Sequence, residues 1–423
     1  MGDLMRHLAF GLLLSITCGI TGACRLVKSH DVDLRQPRLA NENTPGNQSQ
    51  DQEIPQESRD NMTPNDQNEQ TPSPTEADRP EKADRYFAYI GGGSAQIAVY
   101  QFDASTGLLA LVEQIQTPQA NPTFLAIHSS RSWLYAANES AQGGAIAFAI
   151  DRASGKLTQL NESLMKDFGP THVGIDASGK WVMTASYNTG RVASFPIEAN
   201  GRLGAVVAEP VAGENAHQIL SGPDGAGVFV PCLGSNHIAQ YQLNEANGVL
   251  EPQDKPRLLT GNGGPRHLAF HPNQQWAYVL NELSSTIQAL HYSKASSQLS
   301  LFGEPQSTLL ASVSNNSAAE VQVHPSGKFV YTSNRGHDSI ALFTVNSDGS
   351  LSLQANTKTG GATPRHFSID PTGRWLLVAN QDSNQINVMS IDEATGGLTL
   401  REQRVEFTSP QFIEVVLLPS ESI

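Results

Sequence analysis

A segment of about 20 residues recurs six times along the chain, at intervals of about 45–53 residues. The copies are NPTFLAIHSSRSWLYAANES from residue 121, GPTHVGIDASGKWVMTASYN from 169, ENAHQILSGPDGAGVFVPCL from 214, GPRHLAFHPNQQWAYVLNEL from 264, SAAEVQVHPSGKFVYTSNRG from 317 and TPRHFSIDPTGRWLLVANQD from 363. Each contains two alternating apolar runs joined by a turn, and is followed by a third run, a glycine turn and a weaker fourth run. This period is typical of the four-stranded blades of a β-propeller.

The two ends of the repeated region together supply a seventh blade. RYFAYIGGGSAQIAVYQFD (85–103) has the pattern of a second and third strand, and SPQFIEVVLLP (409–419) has the pattern of a first strand with nothing after it. Pairing 85–103 with 410–418 closes the ring and leaves no unpaired sheet edge. We therefore predict an all-β, seven-bladed β-propeller over residues 85–420, with a six- or eight-bladed ring as the alternative.

The N-terminal 24 residues have the pattern of an export signal. Residues 5–24 combine a basic start, an apolar run and small residues before Cys24, as secretory signal peptides do. TGAC (21–24) resembles a lipoprotein cleavage site, and ordinary cleavage near Ala23 is the alternative. We expect the protein to be exported to the periplasm or cell surface, touching the membrane only through a lipid on Cys24.

Residues 25–84 are polar, and their charge is uneven. Residues 40–84 hold eleven acidic and three basic residues, so this segment carries most of the formal net charge of −14. Such a composition buries too little apolar area to fold, which predicts a disordered linker. The acidic balance argues against nucleic-acid binding by bulk electrostatics.

Cysteine is too scarce for a disulfide framework. The chain has three, of which only Cys232 lies in the repeated region, and we interpret it as a small core residue of a strand. We expect the propeller to be a monomer.

Aligning the repeats places polar residues in two columns near one mouth of the central channel, which the first strands line. The first strands begin with Phe124, His172, His217, His267, Glu320, His366 and Phe412, preceded by Thr123, Thr171, Ala216, Arg266, Ala319, Arg365 and Gln411. Fifteen positions after the first column stand Glu139, Tyr187, Cys232, Glu282, Arg335 and Gln381.

The charges in these columns do not repeat from blade to blade, as a structural role would require. Three arginines, three glutamates and four histidines around one axis predict a pocket for a small anionic molecule. Metal ligands would have to come one per blade, beside arginines that oppose a cation, so we expect neither a metal nor another cofactor.

The region 85–420 resembles the seven-bladed propeller lactonases, which include bacterial 6-phosphogluconolactonase and fungal carboxy-muconate lactonising enzyme. The likeness is strongest in GPTHVGID, NAHQ, GPRHLAFHPN with YVLNEL, AAEVQVHPSGK with NRG, and TPRHF. The resemblance implies metal-independent, general acid/base opening of a sugar-derived lactone at the channel mouth. It implies that the catalytic group is His217, Arg266 and Glu282, with His217 or Glu282 as the base.

We expect eight further residues of the columns to bind the substrate, a small anionic lactone. They are His172, Tyr187, His267, Glu320, Arg335, Arg365, His366 and Gln381. Export separates the chain from cytosolic sugar phosphates, so an unphosphorylated lactone is open as well. The competing hypothesis is a non-catalytic surface propeller that binds an anionic ligand or a protein partner. A redox propeller is disfavoured because no C-x-x-C-H motif is present.

Overall fold

The computed structural model describes residues 85–117, 120–166 and 169–419. The predicted signal peptide and linker lie outside the described residues. The described chain forms seven antiparallel sheets, each of which is one blade.

Blade 1 joins the two ends of the repeated region, as the sequence predicts. Its sheet order is β27-β1-β2-β3. Its strands are β1 (Arg85–Gly92), β2 (Gln96–Asp103), β3 (Leu108–Gln116) and β27 (Pro410–Leu418). The β1–β27 pairing runs from Arg85 opposite Leu418 to Gly92 opposite Pro410.

The other six blades follow in chain order. Blade 2 contains β4 (Pro122–Ile127), β5 (Trp133–Asn138), β6 (Gly144–Ile150) and β7 (Leu157–Leu164), and blade 3 contains β8 (His172–Ile175), β9 (Trp181–Ala185) and β10 (Val192–Pro196). Blade 4 contains β11 (Leu220–Ser221), β12 (Gly227–Cys232), β13 (His237–Leu243) and β14 (Leu250–Leu259). Blade 5 contains β15 (Pro265–Phe270), β16 (Trp276–Asn281), β17 (Thr286–Ser293) and β18 (Gln298–Ser307). Blade 6 contains β19 (Ser317–Val323), β20 (Phe329–Arg335), β21 (Ser339–Val345) and β22 (Leu351–Lys358), and blade 7 contains β23 (Pro364–Ile369), β24 (Trp375–Asn380), β25 (Gln385–Ile391) and β26 (Leu398–Glu406).

The seven-bladed ring predicted from the repeat period is therefore confirmed. First strands of neighbouring blades contact one another around the axis, including β27 with β4 across the point of closure. Apolar clusters fill the spaces between adjacent sheets, such as the cluster of Tyr135, Val173, Val182 and Phe195 between blades 2 and 3. Burial of these faces is the main force that holds the ring together.

Buried tyrosines add a specific bond between neighbouring blades. The hydroxyl of Tyr278 in blade 5 donates to the carbonyl of Gly349 in blade 6 at 3.1 Å. The same contact recurs for Tyr89 with Gly155, Tyr135 with Gly201 and Tyr331 with Gly396. These bonds satisfy hydroxyls that would otherwise be buried without a partner.

Two blades depart from the repeat pattern. The fourth strand expected in every blade is absent from blade 3, where residues 197–211 make only isolated bridges to the sheet. Pro210 lies in this segment and has no N–H for a ladder bond. In blade 4 the first strand shrinks to two residues, because Pro231 of the paired strand accepts a bond from His217 N at 2.9 Å but has no N–H to return.

Candidate active site

A ring of side chains from the first strands closes the channel part of the way along its length. We call this ring the channel plug; its members are Phe124, His172, His217, His267, Glu320, His366 and Phe412. All except Phe124, which is partly buried, are at most 6% exposed. The Phe124 ring centroid lies 4.0 Å from that of His172 and 4.5 Å from that of Phe412.

A hydrogen-bonded chain crosses the channel plug. Nδ1 of His267 lies 2.7 Å from Oε2 of Glu320, and Nε2 of the same ring lies 3.2 Å from Nδ1 of His217. Nε2 of His366 lies 3.5 Å from the same glutamate oxygen. The chain thus links side chains contributed by blades 4, 5, 6 and 7.

Burial decides the charge state of the plug. It lowers the pKa of His172 to about 3 and the pKa of His217, His267 and His366 well below the usual value, and the positive charge of Arg266 adds to the effect. These four rings are therefore neutral near pH 7. Burial also raises the pKa of Glu320 to about 8, against the lowering effect of Arg266.

Charged side chains gather on the side of the plug from which the first strands start. We call this the arginine mouth, formed by Arg266, Glu282, Arg335, Arg365 and their neighbours. Glu282 bridges two arginines, with Oε2 3.0 Å from Arg266 Nε and Oε1 3.0 Å from Arg335 Nη2. The Arg266–Glu282 contact is an ion pair without hydrogen-bond geometry at Nε, so that N–H has no hydrogen-bond partner among the described residues.

Three positive charges lie close together in the arginine mouth. Burial lowers the pKa of Arg266 to about 9, with Arg335 adding to the shift and Glu282 opposing it. Burial and Arg335 also lower the pKa of Arg365. The three guanidinium groups therefore repel one another, with Glu282 between two of them and Glu139 and Asp382 acting on Arg365, and an added anion would weaken that repulsion.

A small cavity of about 10 Å³ lies between the arginine mouth and the plug. Its lining includes Thr123, Thr171, His217, Arg266, Arg365 and Gln411. This volume corresponds to roughly one water molecule. The hydroxyl of Thr123 is buried without a hydrogen-bond partner among the described residues, so it is free to bind such a water.

The other side of the plug opens into a cavity of about 640 Å³, which we call the back cavity. Besides members of the plug, it is lined by apolar side chains and by Gln218, Gln322, Ser368 and Glu414. Burial raises the pKa of Glu414 to about 7, and the charge of Arg131 opposes the shift. The two sides of the plug thus differ in size and in the number of charged side chains that line them.

The structure brings the three predicted catalytic residues together. His217 and Arg266 line the small cavity, and Glu282 is joined to Arg266. Their catalytic roles stay predictions.

Other predicted binding residues lie at the same mouth. Arg335 pairs with Glu282, and Nη1 of Arg365 lies 3.5 Å from Oε1 of Gln381. The ring of Tyr187 stands edge-on to that of His217 at 5.6 Å between centroids.

Not every predicted binding residue faces this mouth. His172 and Glu320 line the back cavity, while His366 lines both cavities. His267 lines the small cavity and bonds to Glu320 behind it. The alignment column is thus divided between the two sides of the plug.

Three cavity residues were not predicted as binding residues. Thr123, Thr171 and Gln411 stand immediately before the plug positions of their strands, in the same column as Arg266 and Arg365. Uncharged side chains in that column do not stand out from the repeat as the two arginines do. Their shared register with two arginines was the available signal.

Neither a metal-binding group nor a candidate membrane-spanning helix occurs among the described residues. Within 85–117, 120–166 and 169–419, no group of three or more His, Cys, Asp or Glu side chains is arranged to hold a metal ion. The same residues contain no helix with the length and apolar character needed to span a membrane. Cys232 is fully buried, and burial raises the pKa of its thiol to about 12, so it is not a reactive thiolate.

Comparison with known proteins identifies the family. The model of the family described as lactonase, 7-bladed beta-propeller, matches residues 86–415. A 6-phosphogluconolactonase of Bacillus subtilis is 33% identical over 343 residues, which cover 77% of this chain and 97% of that protein. A 6-phosphogluconolactonase of Pectobacterium carotovorum is 31% identical over 77% of this chain and 96% of its own length.

A solved structure agrees with these relatives. The periplasmic gluconolactonase of Pseudomonas aeruginosa superposes with a TM-score of 0.72 at 28% identity, covering 79% of this chain and all of that one. The chain therefore belongs to the seven-bladed β-propeller lactonase family, which confirms both the family and the lactonase class of enzyme expected from its sequence.

Proposed function

We propose that the protein hydrolyses a sugar-derived lactone at the arginine mouth without a metal ion. The observation that carries the proposal is the junction of His217, Arg266 and Arg365 around a cavity for one water, beside the Arg266–Glu282–Arg335 ion-pair chain. A lactone hydrolase needs a positioned water, a base and positive charge near the carbonyl oxygen. This one mouth contains groups suited to all three tasks.

His217 is the proposed general base. Its Nδ1 is engaged by His267, and no hydrogen bond within the described residues involves its Nε2. A neutral imidazole with a bare nitrogen beside the cavity is able to accept a proton from water. Glu282 is less suited, because both of its oxygens are paired with arginines, and its proposed role is to hold Arg266 and Arg335 in place.

The reaction then follows from these positions. The water oxygen bonds to the lactone carbonyl carbon as its proton passes to His217, and the carbonyl oxygen becomes an oxyanion beside Arg266 and Arg365. Collapse of this intermediate breaks the ring C–O bond, and the ring oxygen takes the remaining proton of the attacking water to become a hydroxyl. The products are a hydroxy acid carboxylate and one net proton, and the arginines stabilise both the oxyanion and the carboxylate.

The lactone itself lies outward of the small cavity, since a volume of about 10 Å³ excludes a sugar ring. Tyr187, Arg335 and Gln381 border that outer space. We propose an aldonolactone as the substrate class, with a phosphate as an optional second anion for Arg335. The name of the Pseudomonas relative, a periplasmic gluconolactonase, supports an unphosphorylated substrate, and we propose that this protein is exported as well.

A panel of lactones tests the proposal. The full-length chain is assayed for acid release from gluconolactone, its 6-phosphate and other aldonolactones, with and without chelator. We expect hydrolysis well above the buffer rate, unaffected by chelator, and a loss of about 10²–10⁴-fold in kcat for His217→Gln. Glu282→Gln should fall by a similar factor, because it releases two arginines from their positions.

Glu414→Gln is the matched control for both variants, since it neutralises a partly buried side chain on the other side of the plug. Hydrolysis no faster than buffer for every lactone would contradict the proposal. Binding of aldonates without turnover would support the non-catalytic alternative.

A further inference from the structure

We infer that Glu320, His267 and His217 form a proton relay through the channel plug, which passes the proton released by hydrolysis from the arginine mouth to the carboxylate of Glu320 at the back cavity while substrate fills the mouth. The inference rests on the proposed function. It assigns to Glu320 and His267 a task distinct from substrate binding. Lactone hydrolysis near neutral pH produces one proton per turnover, and a substrate seated in the mouth stands between that proton and solvent.

The relay is continuous in the structure. His217 lines the small cavity, its Nδ1 lies 3.2 Å from Nε2 of His267, and Nδ1 of His267 lies 2.7 Å from Glu320 Oε2. Glu320 in turn lines the back cavity of about 640 Å³. Two hydrogen bonds therefore span the whole thickness of the plug.

The surrounding network determines which nitrogen carries each proton. The backbone N–H of Ile413 donates to Nδ1 of His366 at 3.4 Å, so the neutral ring carries its hydrogen on Nε2, which faces Glu320. With Glu320 ionised, its Oε2 accepts from Nδ1–H of His267, and Nε2 of His366 lies 3.5 Å from the same oxygen. His267 then has a bare Nε2, which accepts from Nδ1–H of His217. This leaves the Nε2 lone pair of His217 available as the base.

The proton transfer balances at every step. His217 accepts the proton of water on Nε2 and gives its Nδ1 proton to Nε2 of His267, which gives its own Nδ1 proton to Glu320. Both rings end neutral with their hydrogens on Nε2, and the carboxylate becomes a carboxylic acid. After the product leaves, Glu320 returns its proton to Nδ1 of His267, and His267 returns its Nε2 proton to Nδ1 of His217. Water in the open mouth takes the Nε2 proton of His217, so both rings regain their first tautomers and the carboxylate is restored.

The relay also answers an energetic difficulty at His217. Burial and Arg266 lower the pKa of its ring, so an imidazolium there would be a weak and costly proton store. Passing the proton on creates no buried cation and neutralises a buried carboxylate instead. Burial raises the pKa of Glu320 to about 8, which gives the end of the relay the proton affinity that the rings lack.

The groups that face Glu320 set the direction of the pH dependence. They are Arg266 and His267 from blade 5 and His366 from blade 7, with His172 and His217 across the plug; the rings are neutral, so Arg266 supplies the nearby charge. The relay requires Glu320 to be ionised, and its raised pKa means that the carboxylate ionises at a higher pH than usual. Background-corrected kcat/KM should therefore rise with pH through about 8.

Paired substitutions of Glu320 separate proton transfer from simple positioning. Glu320→Gln keeps an oxygen that accepts a bond from His267 but cannot take its proton, whereas Glu320→Asp keeps a proton acceptor. We expect Glu320→Gln to lower kcat by about 10–100-fold with KM within about twofold of wild type, and to lose the rise near pH 8. Formate or imidazole added to the buffer should restore part of its kcat by entering the back cavity. Glu320→Asp should retain at least about a tenth of wild-type kcat.

Glu414→Gln again serves as the control, because it removes an acid of the back cavity that has no hydrogen bond to the relay, and it should keep wild-type kcat. Wild-type kcat and pH profile in Glu320→Gln would overturn the relay while leaving lactone hydrolysis intact. Equal losses in Glu320→Gln and Glu320→Asp, with no rescue by formate, would overturn it too, since they indicate positioning alone.

A measurement without substrate keeps this test apart from the proposed function. In the full-length chain labelled with 15N-histidine, we expect His217 and His267 as Nδ1–H tautomers above pH 8, with a strongly downfield His267 Nδ1 proton that moves upfield in Glu320→Gln. Finding His267 as the Nε2–H tautomer at that pH would refute the relay whatever the protein hydrolyses.

Discussion

The two sides of the channel plug are built from the same seven strands and are chemically opposite. On the starting side, the strands and their neighbours contribute Arg266, Glu282, Arg335 and Arg365 around a cavity of about 10 Å³. Two residues beyond the plug positions, the same strands carry Ala126, Gly174, Ile219, Ala269, Gln322, Ser368 and Glu414, and the cavity widens to about 640 Å³. One repeated scaffold therefore presents a narrow cationic mouth and a wide, mostly neutral one.

In this repeat protein, the residues that hold the blades together recur, whereas the residues of the candidate site do not. Positions that hold the blades together recur, as the four tyrosines bonded to glycine carbonyls do. The arginines of the arginine mouth come from blades 5, 6 and 7 alone, while blades 1 and 2 contribute Phe412 and Phe124 to the plug. Ring closure is what brings these single-copy residues together.

Removing one positive charge from the arginine mouth should have the largest effect on this contrast. Arg365→Met should raise KM for an anionic lactone by about 10–100-fold, because a charge-assisted hydrogen bond to a buried anion contributes about 1.5–3 kcal/mol. Steady-state kinetics measure it, with Arg401→Met, an arginine on the outer strand of the same blade, as the control. Equal KM values for the two variants would show that the mouth does not recognise anions.

Neutralising the back cavity should change stability and not catalysis. The pKa of Glu414 is raised from about 4.5 to about 7 in the folded protein, so the folded state loses stability as pH rises through that window. Gln does not titrate, so the variant should avoid this loss. The Tm of Glu414→Gln minus the Tm of wild type should therefore be larger at pH 8 than at pH 5, by roughly 2–6 °C. Thermal unfolding curves that stay parallel at the two pH values would contradict the raised pKa.

Replacing the unpartnered hydroxyl beside the small cavity should have the smallest effect. Thr123→Val removes a hydrogen-bonding group of the one-water cavity without changing side-chain volume, and should lower kcat by about threefold or less while leaving Tm unchanged. Thr117→Val is the matched control, since its hydroxyl is equally buried and unpartnered but lies outside the channel lining. Identical kcat values for both variants would remove Thr123 from the site.

Much of this organisation can be predicted from the sequence, because the repeat fixes which positions of the strands correspond from blade to blade. Aligning GPRHLAF with TPRHFSI is enough to place Arg266 and Arg365 at one mouth, and the orphan strands at the two ends predict closure between β1 and β27. The structure departs from the predicted strands where residues interrupt backbone pairing. Pro231 shortens the first strand of blade 4, and the segment that contains Pro210 forms no fourth strand in blade 3.

The alignment of the repeats does not predict how far along the channel each side chain lies. His172, Glu320 and His217 occupy one column, yet the first two line the back cavity and the third lines the small one. The difference depends on side-chain direction and on contacts between blades, such as the pairing of His267 with Glu320. Neither can be obtained from spacing within a single repeat.

A crystal structure with the hydrolysis product bound tests the account most directly. Crystals of the full-length chain grown with gluconate or 6-phosphogluconate should show the product carboxylate within about 3.2 Å of a guanidinium nitrogen of Arg266 or Arg365, with Nε2 of His217 facing the same carboxylate. Product seated in the back cavity, or on the outer strands with the arginine mouth unchanged, would contradict the assignment of lactone chemistry to that mouth.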